Sequence, residues 1–441
     1  MVDALTNFFG QISNFLWGNF YMIVLVMTGV MFTVRLGFPQ IRHLGDSFRL
    51  TFAGIRQKGK AGKDGMSAWQ SLATAIAGQV GTGNIAGPAT AIMAGGPGAI
   101  FWMWVSAFFG MGTIFSEAVA AQKYKATLED GTVIGGPAYY IKAAFKGKLG
   151  SGLANAFSIF LIVGFGLAAA LIQGNTISEA FSYSLNVPPI AIGVVVAILT
   201  MIVVVGGRQR IASFVSTCVP LMSILYLAAG LIVVIVNIEN LGPAIKMIFV
   251  GAFNPQAATG GVIGATIKEA MRYGVARGLF SNEAGLGSTP HAHAVAKVQF
   301  PAQQGLVAIV GLFIDTFVVL NMTAFVIFTT GVLDGKTTGI ELAQKAFVSG
   351  FGSFGLAFVA ICLFFFAFST IVGWYFFAEQ NVKYLFGTKV ITYFRIGVMC
   401  FLCLGSMLHV TLVWELADMF NGLMVIPNVI ALFGLSKLVA K

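Results

Sequence analysis

The sequence predicts an all-α, polytopic membrane protein of about eleven transmembrane helices, and three observations predict it. Hydrophobic residues make up 57% of the 441 and charged residues only 10%, with a mean hydropathy of +0.88, a balance that excludes a water-soluble globule. Apolar runs of about twenty residues, enough to cross about 30 Å of hydrocarbon, recur along the whole chain. Glycines interrupt two of these runs, and a helix in lipid does not break unless protein or ligand satisfies the backbone groups it frees.

The runs lie near 12–36, 68–94, 98–120, 152–175, 187–206, 215–237, 258–287, 303–332, 352–379, 391–413 and 416–436. The first is too long for the apolar core of a secretion signal and has only Asp3 before it, so it reads as a permanent helix. Basic residues concentrate on alternate loops. Arg35, Arg42, Arg49, Arg56, Lys58, Lys60 and Lys63 follow the first run; Lys123, Lys125, Lys142, Lys146 and Lys148 follow the third. Arg208 and Arg210 follow the fifth, Lys297 the seventh, Lys383, Lys389 and Arg395 the ninth, and Lys437 and Lys441 the last. The other loops hold only Lys246, Lys336 and Lys345, offset by Glu179, Glu239, Asp334, Glu341, Glu415 and Asp418. This alternation places the amino terminus outside and the carboxyl terminus in the cytoplasm of a cell membrane, and assigns the net charge of +10 to the lipid bilayer rather than to a nucleic acid.

Setting the first helix and its basic loop (1–67) aside leaves ten helices, which divide into five from residue 68 (68–240) and five from about 258 (241–441). Because five is odd, the second set starts on the opposite face of the membrane, which is the arithmetic of a 5+5 inverted repeat with a site between its halves. The first helix of each half should then break at a corresponding depth. The first break is Gly78-Gln79-Val80-Gly81-Thr82-Gly83-Asn84, running on to Gly87-Pro88, and the second is expected within Tyr273-Gly274-Val275-Ala276-Arg277-Gly278-Leu279-Phe280. Glycines in membrane helices also serve close packing, but four of them with Gln, Thr, Asn and Pro exceed that need.

A half-helix that starts after a break presents free N–H groups and a positive dipole end, which suit a carboxylate. The half-helix before it ends in free carbonyls, which suit a small hard cation. Together they suit a zwitterionic amino acid and a sodium ion. The amides of Thr82 and Gly83 are the carboxylate donors, Gln79 and Asn84 lie beside them, and the carbonyls of Ala77 and Val80 face the cation. Tyr273, Phe280 and Trp374 are candidate walls of a small side-chain pocket. Ser369 and Thr370 add adjacent hydroxyls, although membrane Ser and Thr commonly bond their own helix.

Lys268, Glu269, Arg272, Arg277 and Glu283 crowd one apolar run, and Glu117, Asp315 and Asn321 lie in others. Each must pair or face water, as structure or as function; Glu269 and Arg272, three apart, fit an ion pair or a gate. Cys218, Cys362, Cys400 and Cys403 lie within apolar runs without a second ligand pair, and His291 and His293 read as solvated near a helix end. Neither set supports a metal site. There is no P-loop, nucleophile elbow or dinucleotide fingerprint, so the chain reads as neither an ATPase nor an enzyme, with no cofactor beyond a coupling ion. A channel would need a continuous polar pore, and a paired helix break argues for a closed pocket instead.

The stretch from Gly95-Gly96-Pro97-Gly98 through Trp102-Met103-Trp104 to Gly110 resembles the signature of the alanine or glycine:cation symporters, and Arg277-Gly278-Leu279-Phe280-Ser281-Asn282-Glu283-Ala284-Gly285-Leu286-Gly287 is similar to a second stretch typical of them. The resemblance implies a leucine-transporter-type fold and uptake of alanine or glycine coupled to sodium, or alternatively to protons, across a prokaryotic cytoplasmic membrane. In the neurotransmitter:sodium symporters of the wider fold, a similar break holds the substrate carboxylate. The comparison implies that role for Thr82 and Gly83, and a sodium site from Ala77, Val80, Ser369 and Thr370. For a second sodium site the contributor it suggests is Asp315. Gly87-Pro88 departs from those relatives, which carry an arginine and a phenylalanine before the proline, so their outer arginine gate does not transfer.

Overall fold

The computed structural model describes residues 2–55, 65–129, 131–185, 187–254, 265–408 and 410–440. Arg56, Lys58, Lys60, Lys63, Lys441 and the stretch 258–264 of the seventh apolar run lie outside the described residues. The described chain is helical throughout, apart from a two-stranded hairpin of Ala126–Thr127 and Val133–Ile134. Eight helical stretches are long and apolar enough to cross a membrane, Pro189–Val205 is a shorter apolar one, and the two interrupted helices complete the set.

The first run is two helices, α1 (Val2–Leu16) and α2 (Asn19–Arg35), jointed at Trp17-Gly18 rather than continuous. Short helices α3 (Pro39–Arg42) and α4 (Leu44–Ile55) follow. The second run is α5 (Ala68–Gln79) and α6 (Gly83–Gly95), broken at Val80 to Thr82. Then come α7 (Ala99–Lys123), the surface helix α8 (Pro137–Ala144) and a long span of α9 (Gly147–Leu161), a π-helical turn Ile162–Ala168 and α10 (Ala169–Leu185). α11 (Pro189–Val205) and α12 (Gly207–Val236) follow, and α13 (Leu241–Phe253) leads from the first half into the second.

The second half opens with α14 (Ile267–Asn282), an irregular segment, and the one-turn α15 (Pro290–Ala294). It continues with α16 (Pro301–Leu312), a π-helical stretch Phe313–Leu320 and α17 (Asn321–Thr330). Then follow α18 (Gly339–Phe351), α19 (Phe354–Phe386), α20 (Ile391–Gly405) and α21 (Val410–Val439).

Both broken helices begin alike, which fits a repeat. Ser67 caps α5 in a reciprocal box with Gln70, and Thr266 caps α14 in the same box with Glu269, each satisfying orphan N–H groups of the first turn. Glu269 is spent there: among the described residues it makes no ion pair with Arg272, whose guanidinium lies 5.6 Å over the Tyr273 ring instead. The expected second break at Tyr273 to Phe280 is also corrected, because α14 runs unbroken through it. A Cβ on Gly274 would sit 2.3 Å from the Ala99 carbonyl oxygen, so this glycine lets α14 lie against α7 and does not unwind it. The break comes at Glu283 to Thr289, where Glu283 (φ 58°), Gly285 (φ 88°) and Gly287 (φ 80°) take left-handed backbone.

α5, α6, α14, α16 and α17 sit inside, packed against α7, α12 and α19, while α11, α12 and α13 turn Ile198, Ile224, Ile232 and Phe253 outward where lipid would lie.

Candidate functional site

The first break is a set of backbone groups without partners. Val80 N–H still reaches the Ile76 carbonyl, but Gly81 N–H turns to the Asn84 Oδ1 at 2.9 Å, and the N–H groups of Thr82 and Gly83 bond nothing among the described residues. The carbonyls from Ala77 to Val80 likewise accept nothing there. Two free donors at the start of α6 thus face a cavity from one side, and free acceptors at the end of α5 lie beside them.

That cavity is small and enclosed. Gly78, Gln79, Gly81, Thr82 and Gly83 of the break line it, with Phe280 and Ser281 of α14 and Thr370 and Trp374 of α19. The remaining wall comes from Phe165 beside the π-turn, from Gln173 of α10, and from Trp414 and Asn421 of α21. Gln173 and Asn421 are buried, and their side-chain oxygens meet no donor. Single amides in long apolar runs carry no pattern, so these two were not picked out from the sequence; the only available signal was the cost of burying an amide in lipid.

Glycine at positions 78 and 81 follows from contact. A Cβ on Gly78 would stand 2.8 Å from Phe377 and 3.2 Å from Trp374, and one on Gly81 would stand 2.5 Å from the Thr370 Oγ1. α19 is therefore pressed onto the break, with Gly373 against the backbone of Ala77 and Gly78. Of the two adjacent hydroxyls, only Thr370 turns to the break. Both hydroxyls donate to the Phe366 carbonyl, at 3.0 and 2.9 Å, but Ser369 lies against the Met222 sulfur at 3.3 Å and Thr370 against Gly81, because neighbours on a helix project about 100° apart.

Behind the break a buried polar network joins the two halves. Asn84 Nδ2 donates to Asp315 Oδ1 at 2.6 Å, and the hydroxyls of Ser281 and Thr316 donate to the same carboxylate at 3.0 and 2.9 Å. Gln79 donates to the Asn282 carbonyl at 2.7 Å. Asn84 therefore positions the break rather than lining the cavity. Asp315 is buried in the π-helical stretch, and among the described residues no cationic side chain stands within ion-pair distance of it.

Above Thr82, Gly83 and Phe280 the cavity continues into a vestibule toward α18, lined by Thr90, Arg277, Ile340, Trp414, Glu415 and Asp418. Tyr273 faces a side branch with Ser13 and Asn14 of α1 and Trp17 of the joint, and Gly274 is packed away from both; neither meets the central cavity. Glu415 and Asp418, expected in a loop, lie on α21 facing this space. On the opposite side the path is shut. Trp374 donates its indole N–H to Glu283 at 2.8 Å, and Glu283 accepts from Ser288 at 2.5 Å. His291 and His293 are buried there rather than solvated, since α15 folds back beneath the break. His291 bonds the Ser288 carbonyl at 2.7 Å and Asn381 at 2.8 Å, and His293 lies 2.8 Å from Gln304.

A bundle in which two interrupted helices flank one small cavity that leads to a vestibule on a single side has the architecture of a secondary transporter of the leucine-transporter type. A Na+-coupled sialic acid symporter, solved in a substrate-bound outward-open state, shares this fold at a TM-score of 0.55 and 15% identity, over 89% of this chain and 82% of that one. The chain belongs to the sodium:alanine symporter family, whose profile it matches over residues 2–441. Similar relatives are the sodium/alanine symporter AgcS of Methanococcus maripaludis, 41% identical over 97% of this chain and 94% of that protein, and the amino-acid carrier protein AlsT of Bacillus subtilis, 38% identical over 97% and 89%. The probable sodium/glutamine symporter GlnT of Bacillus subtilis is 37% identical over 100% and 90%.

Proposed function

We propose that the protein takes up a small neutral amino acid, alanine or glycine, with sodium as the coupling ion, by alternating access between the halves 68–240 and 241–441. One observation carries this reading: Thr82 and Gly83, with unpartnered N–H groups, and Gly78 and Gln79, with unpartnered carbonyls, line one cavity, and the free carbonyls of Ala77 and Val80 belong to the same break. The substrate carboxylate takes the two N–H groups, a helix N-terminus needing no basic side chain for an anion. Its ammonium group donates to the free oxygens of Gln173 and Asn421. Phe280 and Trp374 close over the side chain, and the small size of the cavity suits a hydrogen or a methyl group.

Sodium sits between the carbonyls of Ala77 and Val80 and the Thr370 hydroxyl, on an oxygen set that suits a hard cation. Each ligand stabilises the unwound break that the other requires, so binding is mutually reinforcing and the coupling is reciprocal. The vestibule side faces outward and the α8 and α15 side faces the cytoplasm, following the basic loops at Lys123, Lys142 and Arg208. The test is equilibrium binding of labelled alanine to purified protein. Sodium should tighten it about tenfold or more, whereas equal binding in sodium and in choline contradicts the ion assignment.

A further inference from the structure

The two helix breaks differ in what satisfies them. At the first, the N–H groups of Thr82 and Gly83 have no partner among the described residues. At the second, donors of the unwound segment are already taken, and a single side chain takes two of them. Gly287 N–H donates to Glu117 Oε1 at 3.1 Å and Gly285 N–H to Glu117 Oε2 at 3.3 Å. Both glycines hold left-handed backbone, which turns their N–H groups to the same side and makes a concave anion cradle. Asn428 of α21 adds its Nδ2 to Glu117 Oε1 at 2.6 Å and to the Gly285 carbonyl at 2.9 Å, and its own oxygen accepts from Tyr140 of α8.

Glu117 is wholly buried, and among the described residues no Lys, Arg or His comes within ion-pair distance. A buried carboxylate in lipid without a cation is expensive, and here the backbone cradle and one amide are what hold it. α7, the second break, α21 and α8 are thereby tied at one point on the face that is closed. That face cannot open at the second break while Gly285 and Gly287 remain held to α7.

We infer that Glu117 is a positioning residue, a captive anion that fills the second break as substrate carboxylate fills the first and latches the α8 and α15 face shut. The comparison with substrate rests on the reading of the first break given above; the latch itself does not. When that face opens, the cradle and Asn428 leave the carboxylate together, so the latch sets the ratio of the two conformers without touching substrate.

The test uses full-length protein in liposomes with Cys218, Cys362, Cys400 and Cys403 replaced by alanine and a reporter at Thr289→Cys. Thr289 is buried at the end of the second break and its hydroxyl makes no hydrogen bond, so the reporter removes no contact. A membrane-impermeant maleimide is applied, without substrate, to the face that carries Lys123 and Lys142. Glu117→Gln puts an amide NH2 where a donor must be accepted, and Asn428→Ala removes the α21 tie. Both should raise the labelling rate about tenfold while leaving sodium-dependent alanine binding within about threefold of the parent. Parent-rate labelling in both variants overturns the latch, and so does faster labelling accompanied by loss of binding, which would mark general collapse. If Glu117→Gln yields no folded protein, Asn428→Ala decides by the same criteria. A parent that binds no alanine sinks the proposed substrate while leaving the labelling comparison intact.

Discussion

Gly78, Gly81 and Thr370 carry the sharpest expectations at the scale of single residues, because each is held by one named contact. Gly78→Ala should place a methyl group against Phe377 and Trp374, 2.8 and 3.2 Å away, and push α19 from the break. Its uptake of alanine should fall about tenfold or more and its thermal midpoint should drop, since overpacking a close contact costs about 1–3 kcal/mol. Thr370→Val keeps the shape and loses the hydroxyl, so the sodium concentration for half-maximal uptake should rise about tenfold, or about 1.4 kcal/mol, with the rate at saturating sodium nearly unchanged. Sodium titration of uptake reads this directly, and an unshifted midpoint would remove Thr370 from the ion site. The amides of Thr82 and Gly83 could be read from the sequence because glycine density and polar neighbours inside an apolar run mark a break. Gln173 and Asn421 could not, since a lone amide in such a run is most often a bond between helices. Ser369 and Thr370 look equivalent as a sequence pair, and only helix phase separates the one that faces Met222 from the one that faces Gly81.

Among elements, eight helical stretches of the described residues are long and apolar enough to span, and the other apolar runs are a shorter helix and the two interrupted ones, because length and hydropathy are what lipid demands. The second break lies about one turn or more beyond Tyr273 to Phe280, where the glycine pattern predicts it. Gly274 and Gly278 look in sequence like the glycines of the first break, yet they serve contact between α14 and α7, while the glycines that unwind are Gly285 and Gly287. Packing glycine and unwinding glycine have the same letter, and only the neighbour's distance or the sign of φ tells them apart. The distinction has a measurable consequence. Gly274→Val should collide with the Ala99 carbonyl and destabilise the protein by about 1–3 kcal/mol, lowering the thermal midpoint and yield, while the alanine affinity of the surviving folded fraction stays at the parent value. A shift in affinity with no loss of stability would return Gly274 to the binding site. The buried His291 and His293 were misjudged for a related reason, since α15 is too short to show an apolar stripe and only the fold-back of the second break covers it.

For the whole molecule, the argument from an odd number of helices per half needs no side-chain detail, and this is why the architecture could be read before any site. The matched capping boxes at Ser67 and Thr266, the two breaks, and the vestibule on one side only are what that architecture produces. The basic loops, in turn, predict its sidedness. A tag after Lys441 should be reached by protease only from the cytoplasmic face, and a cysteine at Lys336 by impermeant reagent only from outside, and the reverse pattern would overturn the orientation. α1 and α2 stand outside the ten-helix count, yet Trp17 reaches the Asp418 carbonyl at 2.9 Å and Tyr21 the Gly422 carbonyl, so the extra helices are fastened to the last span of the second half. What joins residues, breaks and sidedness is coupled movement of an ion and an amino acid through one cavity. The most direct measurement is uptake of labelled alanine into liposomes holding the purified protein, driven by an inward sodium gradient. The account predicts accumulation above the outside concentration that collapses when a sodium ionophore dissipates the gradient. Alanine entry that only equilibrates, or that is as fast with potassium replacing sodium, would contradict it.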